Sequence, residues 1–173
     1  MQIFNKKGGI IKGKNNLNTN SEGIKFVREQ ISQYGWQISP TTKKSILKVN
    51  SSKTNKQISL KVKATKDKRK FWHVGKAKFD GMQWKVEGID KNADYYVIVD
   101  LLDNAAYIVR TDELIQLVNY FAPIKYDKRG SKKEKSKKEM QPCWINATKR
   151  DHQDEWRKIA PLKNKWGLLS EVQ

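Results

Sequence analysis

The chain has 173 residues, 36 Lys or Arg against 18 Asp or Glu, and a formal net charge of +18. A lone cysteine, Cys143, and two histidines, His73 and His152, exclude an intramolecular disulfide framework, a cysteine-based zinc site and a histidine-rich metal centre. Six Trp, six Tyr and five Phe supply enough apolar bulk for one folded domain with a tail, and argue against full disorder.

Residues 1–18, rich in Asn, Lys and Gly, read as a flexible arm. Thr19 and Glu22 stand at capping-box spacing, and Ile24, Val27, Ile31 and Tyr34 then lie on one helical face, which predicts a helix over 20–34 closed by Gly35. Trp36-Gln37-Ile38 is extended. Residues 45–49 and 57–64 predict a hairpin; in its second strand Ile58, Leu60, Val62 and Ala64 face one way and Ser59, Lys61 and Lys63 the other. Residues 65–93 are basic and aromatic without clear period, and read as irregular. Tyr95 to Leu102 is an almost continuous apolar run, as in a strand covered on both faces. An Asp103-Asn104 turn leads to a strand over 105–110. Thr111 can then cap a helix that Pro123 ends. Residues 125–141 form a basic low-complexity loop, and 142–173, with Trp144, Trp156 and Trp166, a segment expected to dock on a core spanning 19–124. The order predicts a mixed α/β (α+β) domain round one sheet.

No apolar run approaches the roughly 20 residues that span a bilayer, and the opening MQIFNKKGG lacks the apolar stretch of a secretory signal. A cytoplasmic protein without a membrane span is expected. The charge far exceeds the magnitude of about 2–8 that suits a small domain. A polyanionic partner is therefore expected, nucleic acid first, an anionic membrane surface or acidic protein second; a merely lysine-rich surface is the plain alternative. Between 41 and 70 lie eleven basic residues and one acid, Asp67. Lys43, Lys44, Lys61, Lys63, Lys66, Lys68, Arg69 and Lys70 are the candidate phosphate contacts. Phe71 and Trp72 follow; they either fill the core under this stretch or stack on bases, and Trp72 is counted with the DNA-binding set. Lysine dominance favours phosphate contact over base reading.

Several short texts recur in order: Gly23-Ile24-Lys25-Phe26-Val27, Gly35-Trp36, Ser45-Ile46-Leu47-Lys48-Val49, Leu60-Lys61-Val62-Lys63, Ala93-Asp94-Tyr95-Tyr96-Val97-Ile98-Val99, and Ala106-Tyr107-Ile108-Val109 before Thr111-Asp112-Glu113-Leu114. Together they resemble the restriction-endonuclease-like, or PD-(D/E)XK, nuclease superfamily, small bacterial and phage-type members above all. The resemblance implies a mixed sheet of four or five strands flanked by helices. It also implies an active site of an Asp opening one strand and a Glu or Gln with a Lys two residues apart on the next, the acids holding Mg²⁺ and the Lys stabilising phosphoryl charge. Here Ser45 stands at the Asp position and Lys61 at the Glu or Gln position; Lys63 alone matches. An ammonium about 4 Å from a cation repels it by roughly 4 kcal/mol per unit charge at an effective dielectric near 20. The expectation is DNA binding by a degenerate, inactive nuclease that needs no cofactor, as a homodimer if it follows its relatives. Two alternatives stand beside it. One is an active Mg²⁺-dependent endonuclease with relocated ligands such as Glu22 or Asp67; the other is a basic protein-interaction module. Glu22 is otherwise a helix-cap residue and His73 a loop residue, and Cys143 lacks the companions of a catalytic thiol.

Overall fold

The computed structural model describes residues 12–39, 46–80, 82–127, 141–148 and 152–170. Its first helix, α1 (Lys12–Gln33), carries the expected stripe, with Val27 and Ile31 fully buried. It starts at Lys12, inside the segment read as an arm, so Thr19 and Glu22 are internal helical residues and form no capping box. The stretch KGKNNLN carries weak helix formers and precedes the apolar stripe, which is why its helical state left no periodic mark. Residues 1–11 lie outside the described residues.

Strands β1 (Trp36–Ile38), β2 (Leu47–Ser51) and β3 (Gln57–Thr65) form an antiparallel meander, with Leu47 opposite Leu60 and Val49 opposite Ile58. The stretch read as irregular is in fact two paired strands, β4 (Phe71–Phe79) and β5 (Trp84–Glu87). Next come β6 (Tyr95–Asp100), β7 (Ala105–Arg110) and α2 (Thr111–Asp127), which continues past Pro123. Residues 128–140, most of the expected basic loop, lie outside the described residues. Strand β8 (Gln141–Asn146), helix α3 (Gln153–Ile159) and single 3₁₀ turns at Ala160–Leu162 and Trp166–Ser170 complete the order.

Two sheets result. A five-stranded mixed sheet runs β1-β2-β3-β6-β7, parallel only between β3 and β6; a three-stranded antiparallel sheet runs β5-β4-β8. The class is mixed α/β in the α+β sense. One face of the large sheet, with Ile58, Leu60, Val62, Val97 and Ile108, packs on Val27 and Ile31 of α1 and on Trp166 and Leu169. The opposite face, with Tyr96, Ile98, Tyr107 and Val109, packs on the small sheet, α2 and α3 through Trp72, Val74, Leu114, Ile145 and Ile159. Strand β6 is buried along its whole length because it serves both cores. Helix α1 lies tight on β3: a Cβ added at Gly23 would stand 2.5 Å from that of Ala64. No helix among the described residues is long and apolar enough to cross a membrane.

Candidate nucleic-acid interface

Strand β3 presents its two faces to different surroundings. Ile58, Leu60 and Val62 enter the core under α1. Lys61 and Lys63, on the other face by the period of two, are half-buried. They stand in register with Tyr96 and Ile98 of β6.

The loop between β5 and β6 closes one side of this patch. Its Asp94 accepts hydrogen bonds from the Ser59 backbone N–H and hydroxyl, each at 2.7 Å, and the Ser59 hydroxyl also donates to the Asn92 carbonyl at 2.9 Å. The Asp90 N–H donates to the Tyr96 phenol oxygen at 2.6 Å. So anchored, Asp90 Oδ2 lies 3.3 Å from Lys61 Nζ. Burial works to raise the Asp90 carboxyl, but the Lys61 ammonium and the Asn92 N–H outweigh it and hold it below the usual carboxylate range.

The Lys63 ammonium makes no hydrogen bond or ion pair among the described residues. Burial first, then the like charge of Lys61, hold its ammonium below the ordinary lysine value, and Asp90 offsets this only in part. His73, expected in a loop, lies on β4. Burial and the cations of Lys63 and Lys76 keep its imidazole below the usual histidine value. Beside it, Trp144 of β8 packs edge-on against His73 and Phe71, with ring centroids 4.9 Å and 4.8 Å away.

The other predicted residues divide. Lys68 and Arg69 are exposed in the turn between β3 and β4, with Arg69 bound to Asp67 at 2.6 Å and stacked over Phe71 at 4.8 Å. Lys66 is ion-paired with Glu22. That engages Glu22, which sits on the helix covering the opposite face of β3 from Lys61 and Lys63; it is neither a helix cap nor part of this patch. Lys70 serves the fold: it pairs with Asp103, and its Nζ lies 3.2 Å from Oδ2 of Asp100, which is 0% exposed. Trp72 does not belong to the surface. It is 2% exposed, stacks on Trp156 at 5.7 Å and donates its indole N–H to the Val99 carbonyl at 2.9 Å. Lys43, Lys44 and Ser45 lie outside the described residues. Among the described residues, no three His, Cys, Asp or Glu side chains come together as a metal-binding group.

The Lys70 pair has a measurable consequence. Lys70→Met leaves the buried Asp100 carboxylate without its counter-charge, at a cost of about 1.5–3 kcal/mol. Asp103 first, then Asp100, raise the Lys70 ammonium above its unfolded value of 10.5. The contribution is therefore fully present below that value and is lost as pH climbs through the higher folded one. Urea titrations of both proteins at pH 7 and above pH 11 check this: the stability gap narrows at the higher pH.

Trp144, Lys76 and Asp90 are the residues of this patch that sequence reasoning left out of the site. Their only sequence signal is proximity to basic runs; strand pairing, which places Trp144 opposite His73, brings them in. No family model, curated protein or solved structure matches this chain.

Proposed function

We propose that the chain is a DNA-binding protein on a restriction-endonuclease-like scaffold, with a degenerate nuclease site, that grips mainly the phosphate backbone. The observation that carries this reading is Lys63: a half-buried ammonium without a hydrogen bond or ion pair among the described residues, beside a second lysine. A desolvated cation is costly unless an anion compensates it. A phosphate from outside does so, and it also relieves the repulsion from Lys61. The net charge of +18 provides the long-range attraction. The helix, antiparallel meander and parallel β6 support the scaffold reading.

The residues present do not fit a Mg²⁺ site. Where the resembled pattern has Glu or Gln, Lys61 stands with its ammonium on Asp90, and a divalent cation entering there meets that charge. As the side chains stand, Asp90 is engaged by Lys61 and is not open to a cation.

If six to eight lysines contact phosphates, log K falls with log salt at a slope of roughly −5 to −7. Fluorescence anisotropy with labelled DNA at a series of salt concentrations measures the slope. A flat response, or no binding at low salt, ends the nucleic-acid reading and leaves the protein-interaction module. One observation favours a second reading, an active endonuclease with a relocated ligand: Asp90 brings a carboxylate to the Lys61–Lys63 face of β3. Chelator-sensitive plasmid cleavage by the wild type, abolished in Asp90→Asn, would establish it.

A further inference from the structure

We infer that the Phe71, His73 and Trp144 row is a stacking platform for unpaired bases, so that the interface takes single-stranded DNA in preference to intact duplex. The inference rests on the DNA-binding reading and names its substrate class.

The row is a consequence of the β4–β8 pairing. Trp72 and Val74 of β4 point into the core, and Phe71 and His73 alternate with them on the other side. Trp144, opposite His73, stands between the two rings and meets both edge-on. All three keep part of their surface accessible. Arg69, 4.8 Å over the Phe71 ring, extends the row with a planar cation that also stacks on bases.

Charge borders the row. Lys63 and Lys76 both act on His73, and Lys61 lies next to Lys63. The nearby carboxylates are Asp67, bound by Arg69, Asp90, bound by Lys61, and Glu87, which faces Lys76 across the β4–β5 ladder. Because His73 is held below the usual imidazole value, it offers a neutral flat ring at pH 7 and not a further point charge.

Spacing selects the strand form. Phe71 and His73, two residues apart on one strand, are separated by roughly 7 Å. That is about twice the 3.4 Å rise per nucleotide of a stacked strand. Neighbouring bases that reach both rings must be unstacked, and an intact duplex offers phosphates to the lysines but no base face to the rings. This pairing of an aromatic platform with a cationic border is the chemistry of single-strand recognition.

The test compares two labelled probes by anisotropy: an oligothymidylate of about 12 nucleotides, within the footprint of single-strand binding folds, and a mixed-sequence duplex. The wild type is expected to bind the single strand more tightly. Trp144→Leu and, separately, Phe71→Leu are expected to lower single-strand affinity by about 5- to 150-fold each and to bring the ratio of the two affinities towards one. Tyr120→Leu, an exposed aromatic on α2, is the control expected to change neither. Thermal melts exclude unfolding, and two separate ring variants keep the test decisive if one of them fails to fold. Equal or tighter binding to duplex by the wild type overturns the platform and leaves DNA binding standing, as does an unchanged ratio in both ring variants. Binding to neither probe at low salt overturns the DNA-binding reading itself.

Discussion

Trp72→Ala is expected to lower the unfolding free energy by about 3–5 kcal/mol, a large part of the 5–15 kcal/mol typical of a domain. The indole is 2% exposed and sits where the small sheet meets the large one. It stacks on Trp156 at 5.7 Å with planes 9° apart, and meets the Tyr107 ring at 6.3 Å. Truncation removes that packing and the hydrogen bond to Val99, and opens a cavity between layers that cannot fully collapse. Trp72→Phe restores most of the ring volume and should recover more than half of the loss. Guanidinium titrations followed by circular dichroism measure both variants. If Trp72→Ala melts like wild type but no longer binds DNA, the residue belongs to the surface and its placement between the sheets is wrong.

On β3 a comparison of adjacent residues gives the second large effect. Leu60 is 0% exposed and faces α1 with Ile58 and Val62, so Leu60→Ala should cost about 2–5 kcal/mol. Lys61→Ala/Lys63→Ala changes the opposite face. It removes one part-exposed ion pair, Lys61 with Asp90, and also the repulsion between the two ammonium groups. These act in opposite directions, so stability should change by less than about 1 kcal/mol. DNA affinity should drop, and the salt slope should shrink by nearly two units as two phosphate contacts are lost. Melts and binding curves on the same two variants separate scaffold from interface. A double lysine variant that unfolds while Leu60→Ala does not would put the strand in the wrong register.

Local period made parts of this fold readable. The β3 alternation told its core face from its lysine face, and the apolar run in β6 marked a strand covered on both sides. Strand β4 escaped because a register shift between His73 and Gly75 flips its parity: Trp72 and Val74 are buried before the shift, Ala77 after it. Gly75 fits that bulge because a Cβ there would stand 2.9 Å from the Glu87 carbonyl oxygen. Strand β8 carries a proline and adjoins a lysine-rich run, so neither composition nor alternation marked it as a strand. In the candidate site, Lys61 and Lys63 were found together because they share one strand. Asp90 and Trp144 were not, because a loop anchor and a long-range ladder place them, and neither is encoded locally. Basic composition overcounted the unpaired cations, since Lys70 answers to buried Asp100 and Lys66 to Glu22.

The late position of the elements that close both cores bears on how the chain is made. Trp166 and Leu169 complete the core under α1, and Ile145 and Ile159 complete the core on the other face of the large sheet. Synthesis proceeds at about 5–20 residues per second, so several seconds pass between the emergence of β7 and that of Trp166. Until Asn146 is out β4 lacks its β8 partner, and to the end of the interval the apolar faces of β6 and β7 are only partly covered. A nascent chain halted before Trp156 is expected to leave those apolar faces open to holding chaperones and proteases until Ile159, Trp166 and Leu169 follow.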